Sequence, residues 1–240
     1  MPTRFTHLAV DVAEPAAIAR FWAELLGWSV GYEDAEESFV NGSEPDLGLA
    51  FVPVPEPKTG KNRLHLDLAS SSVRHQEELV ARALDLGGRR IDIGQPAGTP
   101  WSVLADPAGN EFCVLEPRDW YAGGGPVAAM VLDCADPAAL APFLSAAVGW
   151  PVHTWTDRFV VLRPPAAGAP WLVLLRSAEP KRGKNRIHID VAPFAGDDHA
   201  AEVARLRGLG ARPADVGQGD VPWAVLVDPQ GNEFCVLTPR

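Results

Sequence analysis

Asp106-Pro107-Ala108-Gly109-Asn110-Glu111-Phe112-Cys113-Val114-Leu115 recurs 122 residues later as Asp228-Pro229-Gln230-Gly231-Asn232-Glu233-Phe234-Cys235-Val236-Leu237. The tight Asp-Pro-x-Gly start reads as a turn in which Gly109 takes a positive φ. The apolar tail reads as a strand with Phe112 and Val114 on one face and Glu111, Cys113 and Leu115 on the other. Working outward, three more landmarks recur in the same order. Pro100-Trp101 matches Pro222-Trp223, and Lys61-Asn62-Arg63-Leu64-His65-Leu66-Asp67 matches Lys184-Asn185-Arg186-Ile187-His188-Ile189-Asp190. Asp11-Val12-Ala13-Glu14-Pro15 matches Asp133-Cys134-Ala135-Asp136-Pro137. The offsets are 122 or 123 residues, so the copies differ by single-residue changes of the kind loops absorb cheaply. The chain is a tandem duplication. Its expected divisions are a first domain over 1–118, a linker over 119–126 containing Gly123-Gly124-Gly125, and a second domain over 127–240.

Each copy divides again. Thr6 to Val12 alternates as a strand. In the segment after it, Ile18, Phe21, Trp22 and Leu25 form one apolar helical face between Pro15 and Gly27. Short strands follow near Trp28–Tyr32, Ser38–Asn41 and Leu47–Val54. The pattern then restarts with a strand at Arg63–Leu68 and a helix over Ser72 to Leu86. The reading is α+β, with βαβββ occurring four times. Pro142, inside the third helix, is a candidate kink.

Strand alternation sorts the faces. Leu8, Val10 and Val12 with Leu64, Leu66 and Leu68 belong under helices. His7, Asp11, Arg63, His65, Asp67, Glu111 and Cys113 share the opposite face, repeated as Asp133, Arg186, His188, Asp190, Glu233 and Cys235. Polar groups in mid-sheet mark either a lined cavity or an internal ion-pair network. The first-strand position is unequal: Ala129 stands where His7 does.

Composition limits the function. A net charge of −10 over 240 residues offers no phosphate-gripping surface, and Lys181-Arg182-Gly183-Lys184 reads as a loop. No apolar stretch has the length of a membrane span. Three cysteines in a chain of this size read as reduced thiols, and strand-like sequence follows directly on Met1-Pro2-Thr3-Arg4. A cytoplasmic protein with a small-molecule ligand, as monomer or homodimer, is expected, with no nucleic-acid or membrane partner.

The paired modules, the Phe21-to-Trp28 helix end and the Asp-Pro-x-Gly-Asn-Glu-Phe-Cys-Val strand resemble the vicinal oxygen chelate superfamily of glyoxalases, bleomycin-resistance proteins and extradiol dioxygenases, closest to its glyoxalase-like subgroup. The resemblance implies two glyoxalase-like domains with curved mixed sheets and helices on the convex face. It also implies a divalent metal (Zn, Fe, Ni or Mn) held by ligands from the first, fourth, fifth and eighth strands. Carried over by position, His7 and His65 fall at ligand positions, nothing near Leu49 to Phe51 coordinates, and Cys113 stands at the usual carboxylate. Glu111, two residues earlier, is the substitute. The expected metal set is therefore His7, His65 and Glu111 in the first copy, while the second offers His188 and Cys235. Ligand contacts are expected from His7, Arg63, His65, Trp101, Glu111, Cys113, Arg186, His188, Trp223, Glu233 and Cys235. Because the metal set is incomplete, the leading expectation is a protein holding a partly apolar or aromatic molecule without obligatory metal. The alternative is a metal-dependent lyase, isomerase or dioxygenase working from the first domain.

Overall fold

The computed structural model describes residues 3–42 and 47–240. The first module runs β1 (Arg4–Val12), α1 (Pro15–Leu26), β2 (Ser29–Glu33), β3 (Ser38–Asn41) and β4 (Gly48–Pro53). The second runs β5 (Leu64–Leu68), α2 (Val73–Asp85), β6 (Arg89–Arg90), β7 (Ser102–Ala105) and β8 (Glu111–Val114). The third runs β9 (Val127–Cys134), α3 (Pro137–Val148), β10 (Val152–Trp155), β11 (Phe159–Leu162) and β12 (Trp171–Arg176). The fourth runs β13 (Ile187–Ala192), α4 (His199–Gly208), β14 (Arg212–Pro213), β15 (Ala224–Val227) and β16 (Glu233–Val236).

The helix boundaries follow local chemistry. Pro15 opens α1 and Gly27 closes it in the left-handed conformation at φ 69°, where a Cβ would be strained. Ser72 caps α2 by accepting from the His75 amide. Helix α3 continues through Pro142, whose ring lies on the exposed side.

The modules pair across the copies. One eight-stranded mixed sheet, here sheet A, has the order β14-β15-β16-β13-β1-β4-β3-β2, joining the first and fourth modules. Sheet B has the order β10-β11-β12-β9-β5-β8-β7-β6 and joins the second and third. The central seams are antiparallel: β1 on β13, with Ala9 opposite His188, and β5 on β9, with Asp67 opposite Ala129. Between the copies, Asp119–Tyr121 forms one 3-10 turn, and the Ala69 amide donates to the Pro126 carbonyl.

A single apolar core runs through the helix-covered faces of both sheets and includes Leu8, Val10, Leu64, Leu66, Phe112, Met130, Ile187 and Phe234. Burial of this apolar area is the main favourable term in folding. Two smaller clusters lie on the helix-free faces. Val103, Cys113, Leu115 and Ala128 form the one on sheet B, and Ala192, Val225, Cys235 and Leu237 the one on sheet A.

The repeated motifs stitch this architecture together. Asp106 and Asp228 accept hydrogen bonds from both the amide and the side chain of Asn110 and Asn232. Asp106 also takes the Trp22 indole N–H across the core at 3.1 Å. Each Lys-Asn-Arg run crosses to the other copy. Lys61 pairs with Asp133, and Arg63 donates to the Asp133 and Glu179 carbonyls and to Asn232. Reciprocally, Lys184 pairs with Asp11 at 2.6 Å, and Arg186 donates to the Asp11 and Glu56 carbonyls.

Candidate functional sites on the two helix-free faces

The structure corrects the expected metal set. His7 lies on sheet A and His65 on sheet B, because the first-strand histidine is paired with β13 and not with β5. Glu111 is not a spare carboxylate. Its oxygens take Lys58 Nζ at 2.6 Å and the Asn62 amide at 3.1 Å. Glu233 is held the same way by Lys181 and the Asn185 amide. Arg63 and Arg186 are spent on the carbonyls described above, away from either helix-free centre. These four residues are architecture, which explains why they recur in both copies.

Register places one row of four side chains across the middle of each helix-free face. On sheet A the row is Gly48, His7, Asp190 and Cys235 on β4, β1, β13 and β16. On sheet B it is Trp171, Ala129, Asp67 and Cys113 on β12, β9, β5 and β8. His188 and His65 stand two residues before the aspartates, on the same faces. The rows agree in Asp and Cys and differ in the other two members.

On sheet A, Asp190 lies between two imidazoles. His7 Nε2 is 3.0 Å from Asp190 Oδ2, His188 Nε2 is 3.3 Å from Asp190 Oδ1, and Cys235 Sγ is 3.4 Å from His188 Nε2. The donor atoms of His188, Asp190 and Cys235 all lie within 4.8 Å of one another, and so do those of His65, Asp67 and Cys113 on sheet B. His188 Nδ1 and Asp190 Oδ1 are buried without a hydrogen-bond partner among the described residues. Burial alone would lower the His188 pKa, but the Asp190 carboxylate holds it well above the usual imidazole range. Burial alone would raise Asp190, yet His188 and then His7 hold its carboxyl below the usual carboxylate range. Burial pushes the Cys235 thiol up, against the opposing pull of His188.

Beside His7 stands an aromatic wall. Phe39 meets the His7 ring edge-on at 5.4 Å and stacks on Tyr32 at 5.6 Å with 6° between planes. Gly48 makes room for it, since a Cβ there would lie 2.4 Å from the Phe39 ring tip.

On sheet B, His65 Nε2 is 3.5 Å from Asp67 Oδ1, too long for a good hydrogen bond. Asp67 Oδ1 is buried and without a hydrogen-bond partner among the described residues. Burial, then Asp67, pushes the Cys113 thiol up. Burial likewise takes the Tyr121 hydroxyl to about 12, with Asp67 adding to it. Trp171 fills the floor that Gly48 leaves open on sheet A, with Tyr121 at 5.0 Å and the Arg163 guanidinium 5.3 Å over its ring. Trp101 packs on the Cys113 cluster, whereas Trp223 is 37% exposed.

Sequence reasoning passed over Phe39, Tyr32, Trp171 and Tyr121 as site residues and placed Asp67 and Asp190 only on the wet faces. The His-x-Asp spacing on one strand face was a usable signal for the aspartates. Nothing local marked the aromatics.

Tandem βαβββ modules assembled into two mixed sheets, each with a polar centre on its helix-free face, define a paired-module α+β class. Within that class the chain belongs to the glyoxalase-like domain family, whose model matches residues 7–115 and again 129–237. The fold is similar to glyoxalase I from Zea mays at 16% identity, covering 98% of this chain and 92% of that one, with a TM-score of 0.69. It is also similar to a putative dioxygenase from Bacillus subtilis at 14% identity, covering 99% and 85% of the two chains, with a TM-score of 0.63. No curated protein matches the sequence. Among the described residues, no helix is long and apolar enough to cross a membrane.

Proposed function

We propose that the protein binds an oxygen-bearing small molecule at the helix-free face of sheet A, over a divalent metal held by His7, His188 and Asp190 with Cys235 beside them. One observation carries this reading: His188, Asp190 and Cys235 gather their donor atoms within 4.8 Å of one another, and His7 Nε2 reaches Asp190 Oδ2 at 3.0 Å from the neighbouring strand. A four-coordinate ion with ligand bonds of about 2.0–2.3 Å sets its ligand atoms roughly 3.3–3.8 Å apart. The His188–Asp190 and His188–Cys235 pairs, at 3.3 and 3.4 Å, have that spacing, while the 3.0 Å from His7 to Asp190 is a hydrogen-bond distance. The buried Asp190 Oδ1, without a hydrogen-bond partner among the described residues, fits the same reading, since buried polar atoms are rarely left without a role. Two imidazoles, a carboxylate and a thiol suit zinc or iron better than magnesium or calcium.

The sequence alone favoured binding without metal, because each copy taken singly is short of ligands. Pairing across the copies changes the balance by bringing His7 to Asp190, beside His188 and Cys235. A bound metal would supply Lewis acidity towards ligand oxygens. The chain's own residues do the rest. Asp190 lies between the two imidazoles, 3.0 Å from His7 and 3.3 Å from His188. Phe39, backed by Tyr32, presents an apolar wall beside His7 and excludes water from that side. Tyr32 is half-exposed and its hydroxyl donates to Glu37 at 2.6 Å, which anchors the outer ring of the wall.

Metal analysis of protein purified without added metal, then after equilibration with zinc, iron, nickel or manganese, tests the proposal. About one equivalent per chain is expected in wild type and in His65→Ala, and less than about a tenth of that in His7→Ala and His188→Ala. Absence of uptake of all four metals, or full retention in His188→Ala, would overturn the metal and leave the metal-free reading.

A further inference from the structure

Sheet B poses a separate problem. Asp67 carries a carboxylate whose side chain is only 15% exposed, and no lysine or arginine pairs with it among the described residues. Its counterpart Asp190 is paired with His7 through Oδ2 at 3.0 Å, in addition to the His188 contact that His65 matches on sheet B. Ala129 occupies the position of His7, so on sheet B one of the two imidazoles is gone. Arg118, a guanidinium that feels the Asp67 charge, is bound to Glu116 at 2.7 Å. A buried carboxylate short of partners is costly.

The surroundings of Asp67 also differ from those of Asp190. Around the small cluster of Val103, Cys113 and Leu115, the partly buried residues are Ile91, Ile93, Trp101 and Tyr121. The matching cluster on sheet A has only Ala214 and Val216 in that place. Sheet B therefore offers a larger apolar and aromatic rim, partly open to solvent, around one under-partnered carboxylate.

From this juxtaposition we propose that sheet B carries a second, metal-free site for a flat aromatic ligand bearing a cationic nitrogen. The ligand's N–H group donates to Asp67, and its ring lies against Trp101 and Tyr121. A carboxylate facing an ammonium group makes a charge-assisted bond about twice as strong as a neutral one. Indole and phenol faces attract the same cation. Trp171 is not the stacking surface, because Arg163 already covers one of its faces. The site goes beyond the metal reading of sheet A and uses none of its residues.

Titration calorimetry on the full chain after chelator treatment tests it, with tryptamine as the probe and indole and indole-3-acetate as ring-matched neutral and anionic controls. The expected result is saturable tryptamine binding at one site, at least about tenfold tighter than either control. Asp67→Asn should reduce it about tenfold or more and erase the preference for the cation, while Asp190→Asn leaves it unchanged. No saturable binding up to millimolar tryptamine would overturn the proposal, as would equal affinity for indole-3-acetate. Loss in Asp190→Asn with retention in Asp67→Asn would also overturn it. The wild-type comparison of cation with anion needs no variant, so a poorly folding Asp67→Asn does not remove the test. Failure here leaves metal uptake on sheet A untouched, and the reverse also holds.

Discussion

Gly48-His7-Asp190-Cys235 on sheet A and Trp171-Ala129-Asp67-Cys113 on sheet B are the same row of the same fold, and two exchanges separate them. One replaces an imidazole with a methyl group. The other replaces a glycine, over which the Phe39 ring lies, with an indole. The first exchange decides whether the aspartate lies between two histidines or leans towards one. The second decides whether space remains next to the first-strand position. The half of the row supplied by the second and fourth modules kept its chemistry, while the first and third modules diverged. Duplication left two frames with the same support and different contents.

The broadest way to break this comparison is to separate the copies. Both rows draw on both copies, through the β1–β13 and β5–β9 seams. A fragment of residues 1–118 would expose both central edges, and unpaired strand edges are sticky. It is expected to show no cooperative thermal transition as a monomer, or to self-associate, in sedimentation and calorimetry. A folded monomeric fragment would mean that each copy is complete without the other.

A sharper test separates support from contents. Glu111→Ala leaves Lys58 and the Asn62 amide without their partner in a largely buried setting. It should cost about 3 kcal/mol of unfolding free energy in urea, as breaking a buried pair does, with metal uptake unchanged. His7→Ala should do the opposite, losing the metal at a cost of about 1 kcal/mol or less. Equal effects of the two variants on metal would erase the distinction between motif and site.

The smallest effect concerns pH in the chelator-treated protein. His188 is held above its ordinary value near 6.5, so its contribution is fully present below about pH 6.5 and is lost as pH rises through the folded value. Asp190 is held below its ordinary value near 4, so its contribution is present above about pH 4 and is lost as pH falls through the folded value. The pair therefore stabilises most between about pH 4 and 6.5. Urea midpoints should fall more steeply from pH 6.5 to 9 in wild type than in Asp190→Asn, where the cause of the His188 shift is gone. Parallel profiles would contradict the buried ion pair.

Much of this was legible in the sequence. The four modules, the α1 boundaries at Pro15 and Gly27, and the sorting of Leu8 and Val10 from His7 follow from period, caps and turns, which are local properties. The Asp-Pro-x-Gly-Asn-Glu stretch identified the family because it repeats, and it repeats because Asp106, Asn110 and Glu111 hold the fold. The partner of His7 was not legible. Strand alternation says which face a side chain takes but not which strand lies beside it, and the β1–β13 contact spans most of the chain. That gap sent His7 to His65 instead of His188. The informative letter was the one that failed to repeat, Ala129 against His7.

Both faces gather a histidine, an aspartate and a cysteine within 4.8 Å, and in the proposed reading His7 gives sheet A alone its metal. The most direct measurement is an anomalous difference map from a crystal of the full chain equilibrated with zinc. One peak bounded by His7, His188 and Asp190 on sheet A, with none beside His65 and Asp67, is the expected result. A peak beside His65, peaks of equal height on both sheets, or none on either would contradict it.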